Sequence, residues 1–289
     1  MELAPRVVVT RSLRLAASIA LLALSRSPGI GAQNVAMPKT VPGFSYTLRV
    51  ASSSPAAPPG VTGGAGSSSY VGQVIWAGAH GRVDIVEGGV DKLFSKGDYL
   101  IVDTSHVTVV HPAQREYFVV VLNGDSASRR LAALGAAAKL SDDKVRIESL
   151  GPGDTVAGIP TQRFRLTVAF NMSIDAGVIQ QRLGTESVTE YWVGTVPGLP
   201  NNPLLRSNGL GGSALTGMFK TLAARVDSAA AKMGSAIALR TAATTRVVLG
   251  PGQVIETEQS SVVSDLKQTG IDQSLLMIPA GFKKIAMPN

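Results

Sequence analysis

Apolar and polar residues alternate along much of this chain with the period of two that a half-buried strand requires. In Phe44–Val50, Phe44, Tyr46, Leu48 and Val50 fall on one face, with Ser45, Thr47 and Arg49 on the other. Arg163–Met172 shows the pattern best: Phe164, Leu166, Val168, Phe170 and Met172 share one side, and Arg163, Arg165, Thr167 and Asn171 the other. Shorter runs at Tyr70–Ala77, Arg82–Val86, Val145–Glu148 and Val188–Val193 read the same way. Two longer strands are predicted at Ile237–Leu249 and Val254–Leu266. The densest stretch is Asp98–Leu122, with Tyr99–Val102, Val107–Val110 and Tyr117–Leu122 rich in the aromatic and β-branched residues that strands favour. Tyr117–Leu122 is apolar on both faces, so both faces need cover, and the sheet is expected to be organised around it.

Two segments change period. After the N-cap offered by Ser126, Leu131, Leu134 and Ala138 recur at helical spacing up to Leu140. Leu215, Met218, Phe219, Leu222, Val226, Ala230 and Met233 form a stripe on a helix predicted from Ser213 to Met233, with Gly234 at its natural stop. Ser52–Ser69 holds Ser, Pro, Ala and Gly with little to bury, and reads as a mobile hairpin loop. Strands flank both helices, which favours one domain.

Composition adds an address. Arg6, Arg11 and Arg14 precede the apolar run Leu15–Leu24, and small residues follow to Ala32. This order is that of a secretory signal peptide over 1–32, leaving a single domain over 33–289. The run is too short for a bilayer anchor. The net charge of +7 invites a nucleic-acid partner, but cleavage would lower it to about +4, and no basic run carries interleaved aromatics. Nucleic acid is therefore disfavoured. The chain has no cysteine, which removes disulfides, thiolate chemistry and a lipid-attachment cysteine. The expected address is the periplasm or the exterior.

Candidate chemistry is sparse. His106 and His111 flank Val107–Val110, but five positions apart on a strand they point to opposite faces, a poor start for a metal site. Glu256 and Glu258 share a strand face, as solvated acids do, and Asp142-Asp143 reads as a helix end. No Gly-x-Ser-x-Gly elbow or phosphate-cradling loop is present, and nothing calls for a cofactor. Lys220, Arg225 and Lys232 make a basic helix face, read as solvated. The chemistry points away from an enzyme.

The blocks Arg82-Val-Asp-Ile85, Lys96-Gly-Asp-Tyr-Leu-Ile-Val-Asp103, Pro112–Tyr117, Gly158-Ile-Pro-Thr-Gln-Arg-Phe164 and Ile278-Pro-Ala-Gly-Phe282 resemble the LolA/LolB-like superfamily of envelope proteins. More narrowly, they are similar to its exported members without an assigned function. The resemblance implies a mainly β (α+β) fold, a curved antiparallel unclosed half-barrel with two or three helices covering its concave face. It also implies a site for lipid or lipoprotein acyl chains between sheet and helices. Tyr117, Val119, Phe164, Phe170, Trp192, Phe219 and Leu222 are the residues expected to line it, the strand face that meets the helices being open. The alternative is an envelope scaffold whose helices fill the half-barrel.

Overall fold

The structure is a computed structural model that describes residues 40–54, 66–103, 105–121, 137–175, 180–199, 220–234 and 236–288. Among these residues thirteen strands join in one sheet. They are β1 (Thr40–Ser54), β2 (Gly66–Ala77), β3 (His80–Val90), β4 (Phe94–Ser95), β5 (Tyr99–Val102), β6 (His106–His111), β7 (Glu116–Val121), β8 (Ala137–Pro152), β9 (Gln162–Asp175), β10 (Gln180–Gly194), β11 (Ile237–Gly250), β12 (Gln253–Asp272) and β13 (Lys283–Lys284). One α-helix, α1 (Lys220–Ala230), continues as a 3-10 turn through Met233.

The strands run β13-β7-β6-β5-β3-β2-β1-β12-β11-β10-β9-β8, with β4 beside β3, so the sheet is unclosed. Its middle joins the two ends of the sequence: β1 pairs β12 from Thr40 opposite Asp272 to Ser53 opposite Glu258. A bulge in β12 sits opposite Ser45–Thr47, where Asp265 takes φ 56°. The Asp265 carboxylate there accepts hydrogen bonds from Thr47 Oγ1 (3.1 Å) and Ser264 Oγ (2.8 Å). β3 is irregular too, its register against β2 shifting between Glu87 and Ile85, and beside that shift Gly88 takes φ 68° with a Cβ site only 1.9 Å from the Ser69 carbonyl oxygen. Only glycine fits both limits.

Register assigns the faces, because residues directly opposite on antiparallel strands share one. Phe118, Val109, Leu100, Val83, Val74 and Tyr46 line up across β7 to β1. Leu48, two residues beyond Tyr46, faces Val263, and the same side continues through Ser261, Thr241, Tyr191 and Phe164. Two cores form. The first gathers Phe44, Tyr46, Leu48, Val83, Leu100, Val109 and Phe118. The second gathers Leu166, Phe170, Met172, Leu183 and Tyr191 beneath Leu222, Val226, Ala230 and Met233.

The helical expectation is corrected: the described residues hold one α-helix rather than two or three. Ala137–Leu140, read as the end of a helix, is strand, pairing β9 from Ala137 opposite Asp175. Its alanines fit either period, and ladder pairing decides for strand. The remainder of that predicted helix, and the predicted first turns from Ser213 to Phe219, lie outside the described residues. The predicted loop at Ser52–Ser69 is partly strand, with Ser52 opposite Ser68 and Ser53 opposite Ser67, and its residues 55–65 lie outside the described residues.

A second correction concerns Tyr117–Leu122. Its strand, β7, stands second from one end of the sheet, inside only the two-residue β13, rather than at the centre. α1 packs on β8 and β9, at the far end. The other face of β5 to β7 belongs to the C-terminal segment, which leaves β12, turns in 3-10 form at Gln273–Leu276 against β3, and ends parallel to β7. Arg82 holds this crossing: Nη1 donates to the Leu275 carbonyl (3.4 Å), Nε and Nη2 fork onto Asp84, and the guanidinium lies 3.8 Å from the Tyr99 ring centroid. On that side Tyr99, beneath the Arg82 guanidinium, and Val110 are buried.

Candidate functional site

The helix-facing site is built from β8, β9, β10 and α1. Alternation puts Phe164, Leu166, Val168, Phe170 and Met172 of β9 on the α1 side, and Leu222 and Val226 close over them at helical spacing. Arg225 ties the helix to β8, donating from Nη1 to the Asp143 carbonyl (3.1 Å) and pairing with its carboxylate. Leu166, Phe170, Leu222 and Val226 are buried, whereas Phe164, Val168, Val145, Ile147 and Leu140 are half-buried around them. Burial of Tyr191 pushes its phenol well above the ordinary range, so it stays neutral.

The residues expected to line one cavity are distributed. Phe164, Phe170 and Leu222 meet in the second core. Trp192 is on the opposite face of β10, because it pairs Arg163 while Tyr191 pairs Phe164. Tyr117 and Val119 lie half-buried at the other end of the sheet, on the side of Arg82. Phe219 is outside the described residues.

The opposite face of β8 to β11 is a charge ladder. Glu190 accepts from Arg163 Nη2 (2.8 Å) and from Arg165 Nη2 (2.7 Å), and Glu148 pairs with Arg146 and, at 4.0 Å, with Arg165. Hydrogen bonds from Arg165 and then Arg163 hold the Glu190 carboxyl below the usual range. The guanidinium groups of Arg163 and Arg240 lie 5.1 Å and 4.4 Å from the Trp192 ring. The loop after Gly153 packs here, since a Cβ on Gly153 would sit 2.9 Å from Trp192 Cδ1 and 2.8 Å from Arg163 Cγ. Thr161 Oγ1 fastens the loop by donating to the Asp154 carbonyl (2.6 Å).

Between that loop and β11–β12 opens a cleft of about 470 Å³, with Val156, Ala157, Ala242 and Val262 in its lining and Arg240 facing Asp154 at 3.6 Å. Sequence reasoning passed over it. Its one signal was the turn Leu150-Gly-Pro-Gly153, and nothing in that turn says which strand the loop will lie against.

The histidines have separate partners: His106 Nδ1 is 2.7 Å from Ser105 Oγ, and His111 Nδ1 is 3.1 Å from Asp98. Among the described residues no three His, Cys, Asp or Glu side chains converge as a metal site would need. No described helix is long and apolar enough to cross a membrane.

No family model and no curated protein matches the chain. A crystal structure of an uncharacterised conserved protein from Thermus thermophilus is similar at 8% identity, over 83% of this chain and 89% of that one. The TM-score is 0.31, a level that carries no argument about fold or function.

Proposed function

We propose that this protein is an exported, non-catalytic component of the bacterial envelope that seats an apolar chain, of a lipid or a lipoprotein, between its open sheet and its helical cover. The observation that carries this reading is an apolar band on the α1 side of β8 and β9 that the fold does not bury completely. Beside the helix, Val145, Ile147, Phe164 and Val168 are left half-buried. A chain laid along them gains about 0.8 kcal/mol per buried methylene, so eight to ten methylenes support roughly micromolar affinity after association costs. Phe170 and Leu222 form the floor of this site rather than its exposed wall.

The test is uptake of a fluorescent fatty-acid probe by delipidated protein, with mass spectrometry of what co-purifies. Val168→Asp is expected to weaken uptake at least tenfold, and Lys232→Ala, at an exposed position, to leave it unchanged. Export is checked on the same preparation: native envelope protein should begin at or near Gln33. Wild type that takes up no probe and carries no lipid overturns the binding reading. The scaffold reading then replaces it, favoured by the complete burial of Tyr191 and the near-complete burial of Leu166 and Leu222 under α1.

A further inference from the structure

We propose that the C-terminal crossing segment, from the 3-10 turn at Gln273–Leu276 to β13, is a docking surface for an anionic lipid bilayer. The inference stands apart from the acyl-chain reading, since it concerns another part of the surface. Leu275-Leu-Met-Ile-Pro-Ala280 is an uncharged run at the surface, with Leu275 44% and Met277 66% exposed. Among the described residues four large hydrophobic side chains are exposed, and two of them stand two residues apart here. Scattered singly they would need no explanation, but paired in one turn they make a local apolar prominence.

Charge supplies the second observation. Lys283 and Lys284 follow the apolar run, both exposed, and 273–288 contains no acidic residue. Arg115 is exposed beside them, its carbonyl accepting from the Lys283 backbone N–H at 2.9 Å. The neighbouring acids are Asp272, whose carboxylate accepts from the Ser274 backbone N–H, and Glu116, half-buried opposite Lys283. An apolar prominence followed in the same segment by exposed lysines is what a bilayer interface with anionic headgroups accepts. An apolar surface meant for a water-soluble partner has no need of that flank. The backbone beneath the segment is also firmly held. Arg82 grips the Leu275 carbonyl, and the N–H groups of Lys283 and Ile285 bond to β7 and the turn before it. The apolar side chains are therefore presented from a fixed backbone.

The experiment is vesicle co-sedimentation of the full chain with phosphatidylglycerol-containing and pure phosphatidylcholine vesicles. Wild type is compared with Leu275→Ser/Met277→Ser and with Lys283→Glu/Lys284→Glu, all sharing the same N-terminus, so that its contribution cancels. The serine pair is expected to lower partitioning onto anionic vesicles about tenfold, and the charge reversal by about thirtyfold or more, with a marked fall on adding salt. All these positions are exposed, and unchanged thermal melting confirms that the variants fold. Variants that sediment like wild type overturn the proposal, as does wild type that ignores anionic vesicles. A dimer abolished by the serine pair, without any vesicle binding, also overturns it and makes the turn a contact between two copies. Loss of vesicle binding with fatty-acid uptake intact separates this surface from the acyl-chain site.

Discussion

The two flanks of the sheet are held by different means. From β12 to β8 the strands are 14 to 20 residues long, and their outer parts carry Thr, Ser, Glu and Arg with little complete burial. From β5 to β7 they are 4 to 6 residues long, yet Tyr99, Leu100, Val102, Val107, Val109, Val110 and Phe118 are all buried. A long strand accumulates ladder bonds and tolerates one wet face. A short one has few bonds, and must bury side chains on both faces. The tail crossing supplies the second cover, and it also pairs the β7 edge that would otherwise recruit another chain.

The sharpest way to break this contrast is truncation in each flank. Phe118→Ala, at a fully buried position on a six-residue strand, is expected to cost about 3–5 kcal/mol. Val168→Ala, at a half-buried position on β9, should cost about 1 kcal/mol, because less contact is lost and α1 can settle. Urea melts of both variants check the ratio, and equal losses would remove the distinction between the flanks.

A smaller effect is expected at the crossing itself. Arg82→Ala removes the Asp84 fork, the Tyr99 stacking and the bond to Leu275 together, for about 1–2 kcal/mol. Amide exchange should rise at 273–285 and in β7, while β9 and β10 keep their protection. Uniform exchange across the sheet would show that the tail is not a separate clasp.

The smallest effect is on the ladder face. The Glu190 carboxyl titrates lower in the fold than in the unfolded chain, so its contribution is present above the unfolded pKa. It is lost as pH falls from about 5 through the lowered folded value. Glu190→Gln should lower the melting temperature at pH 7, by only a little because the arginines are partly exposed and screened, and should flatten its decline over that range until variant and wild type converge in acid.

Strand existence was legible where one face is apolar, as in Phe44–Val50 and Arg163–Met172. It was not legible where a single large apolar residue stands among polar or small ones: Gln180–Ser187, with Leu183 alone, and Ala137–Ser141, with Leu140 alone, pair with β9, yet show no alternation to read. Strand order was out of reach, because periodicity speaks of faces and not of neighbours. That is why the sheet was expected to be organised around the apolar Tyr117–Leu122, whereas β7 stands second from one end. The candidate site divided for a related reason. Phe164, Phe170 and Leu222 follow from two stripes meeting, but the face of Trp192 depends on register, which pairs it with Arg163. The two-residue β13 is too short to carry a pattern at all.

The pairing of β1 with β12 has a kinetic consequence. Thr47 and Asp265, hydrogen-bonded at the middle of the sheet, are 218 residues apart. The local pairs β2–β3, β8–β9, β9–β10 and β11–β12 join strands close in sequence and can form early. The seam between β1 and β12 must wait until nearly the whole chain is present, and it closes the longest loop in the molecule. During synthesis both halves therefore exist with an open inner edge. A chain built this way completes its centre last.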